Sequence, residues 1–323
     1  MESQSADGVF AGRFGGTTAL ESPKPTLSII SITNLTKRYG RRVGVNHLTL
    51  HVPAGQVFGF LGPNGAGKTT TIRVLLGLLR PSMGRAQVLG LDCWSSSHRI
   101  KADLGYLPGD LRLYSWLNLH RALTIASQVR HCDLSAAGHQ LAELFDLEPD
   151  LRVRSMSRGN RQKLGLILAL VHRPKILVLD EPTSGLDPIM QERLKHHLRG
   201  LAAEGHSIFF SSHSLAEVQH ICDRVAILRR GTLVADESLE ALRARAGRQV
   251  TLTWADCAGP AKPSPDFLEV FEEEATTWHC TLTGKVPDLL SWLADKPVAD
   301  LTLGQPDLET LFRRYYDDQE VTP

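Results

Sequence analysis

From residue 27 onward the chain changes hydrophobic period several times. LSIISITNL (27–35), NHLTLHV (46–52) and QVFGFLG (56–62) are short runs dense in apolar and β-branched residues, which predicts strands. TTTIRVLLGLL (69–79) follows at once with the composition and spacing of a helix. A stretch of helical texture covers about 117–172, and then four consecutive apolar residues, Ile176 to Leu179, run into Asp180. Such a run bounded by turn formers suits a strand buried on both faces. IFFSSH (208–213) and VAILRRGTLVADE (225–237) read as closing strands. Strands alternating with helices predict an α/β fold.

The texture changes after about Ala246. QVTLTWAD (249–256) and TTWHCTLTG (276–284) alternate apolar and polar residues at period two, while VPDLLSWLAD (286–295) and DLETLFRRYYDD (307–318) read as amphipathic helices. A first domain is therefore expected at 27–246 and a smaller α+β domain at 247–323, joined through the helical ESLEALRARAG (237–247). The Pro-rich AGPAKPSPD (258–266) reads as a loop, and residues 1–26 as a flexible tail. No internal repeat is visible.

Composition narrows the partners. Residues are 42% hydrophobic and 22% charged, as in a globular protein, and 36 basic residues oppose 35 acidic ones. Without a global field, the chain is not expected to hold nucleic acid, and contact with a membrane must be local or through a partner. The longest apolar runs fall well short of the roughly 20 residues a bilayer span needs. The N-terminus has neither the positive start nor the compact apolar centre of a secretory signal. Five widely spaced cysteines without a CxxC pair read as reduced thiols.

Two motifs carry chemistry. Gly62-Pro63-Asn64-Gly65-Ala66-Gly67-Lys68-Thr69 fits the GxxxxGK[ST] phosphate loop, placed between a predicted strand and a predicted helix. Its glycines let backbone N–H groups approach phosphate, Lys68 reaches the β and γ oxygens, and the Thr69 hydroxyl is a ligand for Mg²⁺. Thr70 continues the loop into the helix. ILVLDEP then ends a buried strand in Asp180, placed to complete the metal's surroundings, followed by Glu181 as candidate general base for an attacking water.

The block DEPTSGLDP (180–188), with SMSRGNRQK before it and SSH after it, resembles the nucleotide-binding domain of ATP-binding-cassette (ABC) proteins over about residues 27–240. The resemblance implies a P-loop cassette with a RecA-like core, an antiparallel β subdomain and a helical subdomain. It implies ATP and Mg²⁺ as ligands, with Thr69 and Asp180 at the metal. It further implies that Tyr39, in TKRYG, stacks on adenine, that His213 contacts the γ-phosphate, and that Asp187 lies in the loop that crosses between two protomers. The family's LSGGQ signature stands here as Met156-Ser157-Arg158-Gly159-Asn160. Ser157 and Gly159 are kept, and they open an apolar helix whose N-terminus suits a phosphate. In the family that phosphate belongs to ATP on the other subunit, so a second copy of the chain is expected as a head-to-tail partner.

Three positions depart from the pattern, and one of them is Asn160, which replaces a glutamine in the signature. Arg158 replaces a glycine, and either adds positive charge beside the phosphate or points outward. Gly109, in GYLPGD, stands where the family places a glutamine that touches magnesium and lies in the surface coupled to the membrane subunit. A left-handed backbone at Gly109 would make glycine necessary there.

One cassette without a fused span, ending in QPDLETLFRRYYDD, resembles the drug-exporter ATPase subunits of the daunorubicin and tetronasin resistance type. That implies a separate multispanning permease, a place on the cytoplasmic face of the membrane, and a drug-like or lipidic cargo. The C-terminal domain then has a dimer-stabilising or regulatory role. The alternatives are an ABC protein acting on ribosomes, or a regulatory ATPase with little turnover.

Overall fold

A computed structural model describes residues 28–255 and 264–306, together with Leu308 and Phe312. The expected tail at 1–26, most of the Pro-rich loop and most of the last predicted helix lie outside the described residues.

Three sheets organise these residues. The first is antiparallel, in the order β2 (Arg42–Pro53), β1 (Ser28–Tyr39), β4 (Met83–Val88), β5 (Leu91–Asp92). The central sheet runs β10 (Thr232–Ser238), β9 (Arg224–Arg229), β3 (Val57–Leu61), β8 (Ser207–Ser212), β7 (Ile176–Asp180), β6 (Leu104–Leu107). All its pairings are parallel except β9 with β10.

The central strands β3, β7 and β8 are buried along their whole length because both of their faces are covered. Val57 and Leu61, Leu177 and Leu179, and Ile208 and Phe210 face one buried cluster, shared with helices α3 (Leu119–Arg130), α4 (Ser135–Leu144), α5 (Arg158–Leu170) and α6 (Pro188–Ala203). Their neighbours Phe58, Phe60, Ile176, Val178 and Phe209 face the opposite way, against the first sheet and helix α1 (Lys68–Leu75). Period-two alternation thus survives inside continuous apolar runs as a division between two cores. Two short helices complete this part, α2 (Ser97–Ala102) and α7 (Leu215–Ile221).

After α8 (Leu239–Arg245) comes the third sheet, antiparallel in the order β12 (Leu268–Glu273), β13 (Thr277–Leu282), β11 (Arg248–Trp254), β14 (Val298–Pro306). Its buried face, including Val250, Leu252, Trp254, Trp278 and Leu282, packs on Leu289 and Leu293 of α9 (Val286–Leu293). Core membership changes between Ala246, which belongs with the first cluster, and Val250, which belongs with the third. Leu308 and Phe312, four residues apart and both buried, belong with the first cluster again. No helix among the described residues is long and apolar enough to cross a membrane.

Candidate functional site

The phosphate loop leaves the end of β3 and turns into α1 at Gly67, whose φ of 109° is open to glycine and unfavourable for other residues. A Cβ there would also stand 2.5 Å from the Gly44 carbonyl oxygen. The first turn of α1 has neither an acidic residue nor a side-chain cap, so its N–H groups are left for an anion. Ala66 is buried, and a Cβ at Gly62 would run into the Leu228 carbonyl oxygen.

Lys68 is buried, and its ammonium donates to the Gly62 carbonyl at 2.5 Å and lies 3.8 Å from Glu181 Oε1. Burial lowers its pKa, an effect opposed by the charges of Glu181 and Asp180. Asp180, at the end of β7, accepts from Ser211 Oγ at 2.7 Å and from Thr69 Oγ1 at 3.1 Å. A buried carboxylate and a hydroxyl thus converge beside the loop, the oxygen chemistry Mg²⁺ requires.

Glu181 follows with φ 51°, a left-handed backbone that costs a non-glycine residue about 1–2 kcal/mol. Its N–H is held by the Ser211 carbonyl at 3.1 Å, and its Oε1 lies 3.1 Å from His213 Nδ1. Such strain persists only where surrounding contacts over-determine it. Here the turn aims the carboxylate between Lys68 and His213.

Tyr39, Pro63, Asn64, Gly65, Gly67, Lys68, Thr69, Thr70 and Glu181 line one cleft of about 430 Å³. Tyr39, at the end of β1, is 44% exposed, leaving ring surface available for a planar ligand. Arg42 and Arg73 line the same cleft and were not singled out in the sequence. An arginine carries no motif of its own, and only the fold brings these two beside the loop. A larger apolar groove, about 630 Å³ between Leu144 and the start of α6, contains none of these phosphate-facing groups.

Ser157, Gly159 and Asp187 do not line the cleft. Ser157 is the N-cap of α5, its hydroxyl accepting from Asn160 N–H at 3.1 Å. Asp187 caps α6 by accepting from Met190 N–H at 3.0 Å, which lowers its pKa. A Cβ at Gly159 would stand 2.7 Å from the Gly185 carbonyl oxygen, so close packing within the chain requires glycine there. Arg158 is exposed, and its guanidinium donates to Ser184 Oγ at 2.6 Å in the same chain.

Gly109 stands beside Asp180. Its φ is not left-handed, and an added Cβ would meet Asp180 Oδ2 at 3.4 Å, an ordinary contact. Glycine is therefore not imposed by backbone conformation. The segment after it carries two exposed aromatics that the sequence reading passed over, Tyr114 and Trp116, whose rings stack 5.9 Å apart.

Residues 45–184 match the family model described as ABC transporter. An uncharacterized ABC transporter ATP-binding protein of Synechocystis sp. is 32% identical over 94% of this chain and 89% of its own length. The bacitracin transport ATP-binding protein BcrA of Bacillus licheniformis is 37% identical over 68% of this chain and 72% of its own. A solved ATP-binding subunit of an ABC transporter superposes with a TM-score of 0.60 at 27% identity, covering 67% of this chain and 92% of that one. The phosphate loop, the strand ending in Asp180 and Glu181, and this likeness over nearly the whole chain lead to one conclusion: the protein belongs to the ABC transporter family, as an ATP-binding and ATP-hydrolysing subunit.

Proposed function

We propose that the chain powers an exporter whose membrane permease is a separate polypeptide, working as a head-to-tail pair on the cytoplasmic face of the membrane. Within each cleft, Lys68 and the free N–H groups of α1 bind the β and γ phosphates, and Tyr39 stacks on the base. Thr69 and Asp180 hold Mg²⁺, which when bound offsets charge on the phosphate oxygens. Glu181 accepts the proton of the attacking water as general base. His213, with Nδ1 3.1 Å from Glu181 Oε1, orients that carboxylate and reaches toward the γ-phosphate. Ser157 and Gly159 serve the nucleotide of the opposite copy, and Asp187 lies in the loop between the copies.

The observation that carries the catalytic part is Glu181 itself, a strained carboxylate aimed between a buried lysine and a histidine. Glu181→Gln keeps the shape and removes the base, so ATP binds while turnover falls by about 10²-fold or more. Phosphate release at the wild-type rate overturns the assignment.

The exporter reading rests on similarity to a bacitracin transport ATP-binding protein. A drug-like or lipidic cargo, and membership of the daunorubicin and tetronasin class, extend that similarity. Reconstitution with the candidate permease and a panel of such compounds tests it. ATP-dependent accumulation in inverted vesicles is expected, and import instead of export overturns it.

A further inference from the structure

Four contacts converge on the five residues from Glu181 to Gly185, and hydrolysis as described uses none of them directly. Gln162, buried on α5, donates from Nε2 to the Pro182 carbonyl at 3.0 Å. Arg158, at the start of α5, donates to Ser184 Oγ at 2.6 Å, and its side chain lies over Gly185. Gly159 backs onto the Gly185 carbonyl, with no room for a Cβ. From the other side, Thr183 Oγ1 donates to Glu217 Oε1 of α7 at 2.6 Å. The second oxygen of Glu217 accepts from Ser212 Oγ at 2.5 Å, and Ser212 immediately precedes His213. Thr183 and Ser212 are both buried.

Two adjacent hydroxyls, Thr183 and Ser184, are thus drawn to opposite sides. One is fastened to the segment that carries His213, the other to the helix that carries Ser157. A carboxylate accepting two buried hydroxyls and a guanidinium on a third are charge-assisted bonds, stronger and more directional than neutral ones. Arg158 is also where the chain departs from the family signature, and a glycine at 158 would have no side chain to make its contact.

We infer that Arg158 and Glu217 are positioning residues: they clamp the turn bearing Glu181 between the signature helix and the His213 segment, so that displacement of α5 displaces the base. The clamp converts the position of the signature helix into alignment of Glu181 in the same chain. It rests on the reading of Glu181 as the base. Three pins lie on α5 and one on α7, so loss of Arg158 leaves the turn attached through Gln162, and loss of Glu217 also releases Ser212. Neither change touches the residues that line the nucleotide cleft.

The test compares Arg158→Met, Ser184→Ala, their double variant and Glu217→Gln in the full-length protein, with Arg158→Lys and Glu217→Asp as conservative forms. For Arg158→Met and Ser184→Ala, kcat is expected to fall about tenfold while KM for ATP stays within about twofold, and the double variant to be no worse than either single one. Arg158→Lys recovers part of the loss. In nucleotide-free protein, peptides covering 181–187 exchange amide hydrogens faster in Arg158→Met and Glu217→Gln than in wild type, with the phosphate loop unchanged. Additive losses, a rise in KM at constant kcat, or unchanged exchange at 181–187 overturns the clamp. If Glu217→Gln fails to fold, Glu217→Asp and Thr183→Val give the same exchange readout. Wild-type turnover in Glu181→Gln would instead defeat the base assignment, leaving the exchange result to stand or fall separately.

Discussion

The phosphate loop and the signature face both lead into a helix N-terminus and differ in what occupies it. At α1 nothing caps the first turn, and the open N–H groups face a cleft with Lys68, Thr69 and Glu181. At α5 the Ser157 hydroxyl already accepts from Asn160 N–H, and the turn lies away from that cleft. The cleft collects its groups from several elements of one chain. The signature face presents a capped helix end and Asp187 on the surface. The difference teaches that helix polarity alone does not make a site: convergent polar groups from other elements do.

Substitutions that empty one half and spare the other break this comparison most sharply. Lys68→Ala removes a buried lysine that lines the cleft, and nucleotide affinity measured by titration should weaken about 10–100-fold. Ser157→Arg should leave that affinity unchanged while turnover falls, because bulk is placed on the exposed face. Mixing the two variants restores one intact composite site in the mixed pair, so phosphate release above both parents is expected. Wild-type turnover by Ser157→Arg alone would mean that the signature face takes no part.

How much of this was legible in the sequence follows the same division. Motifs fixed by chain-local geometry were readable: the loop from Gly62 to Thr69, and the strand from Ile176 to Asp180 with all five residues buried. Strict alternation also marked β13 correctly, where buried residues fall at every second position. The segment 83–107 was not read, since β4 is half exposed, β5 has two residues and α2 only six. Short or half-exposed elements leave too few buried positions to show a period. Contacts across the fold were equally silent: Arg158 meets Ser184 and Glu217 meets Thr183 only because α5 and α7 flank one turn. The helical stretch ending in tyrosines lies mostly outside the described residues, and only the burial of Leu308 and Phe312 bears on it.

A smaller effect separates the two helices by acidity. The signature helix leads into His172, whose pKa is pushed down to about 4 by burial and by the Arg130 guanidinium, with Nε2 3.2 Å from the Leu104 carbonyl. The folded chain therefore keeps this imidazole neutral at pH values where the unfolded chain, with a pKa near 6.5, protonates it. Its contribution to stability is complete above pH 6.5, declines as the pH falls below that value, and is gone below about 4. Thermal melts from pH 7 to 5 should lose a few degrees in Tm, and His172→Gln should flatten that slope. An unchanged slope would place the acid sensitivity elsewhere.

The smallest effect is expected at Gly109, which sits on the cleft side of the comparison and carries no side chain toward it. Since a Cβ there would meet Asp180 Oδ2 at 3.4 Å and the backbone is not left-handed, Gly109→Gln is tolerated sterically. Stability should change by no more than about 0.5 kcal/mol, as for other unstrained substitutions. Basal ATP hydrolysis should persist, because Thr69, Asp180 and Glu181 keep their contacts. What the longer side chain alters is the surface that begins at Gly109 and continues into the exposed pair Tyr114 and Trp116. If coupling in this protein is arranged around a loop without the glutamine, stimulation of hydrolysis by the permease falls while the basal rate holds. If hydrolysis and export rise together, glycine is instead a weakened form of a metal-contacting position, and the cleft is less complete than its geometry suggests. Both rates must be measured in the reconstituted complex, because the isolated subunit reports only on the cleft.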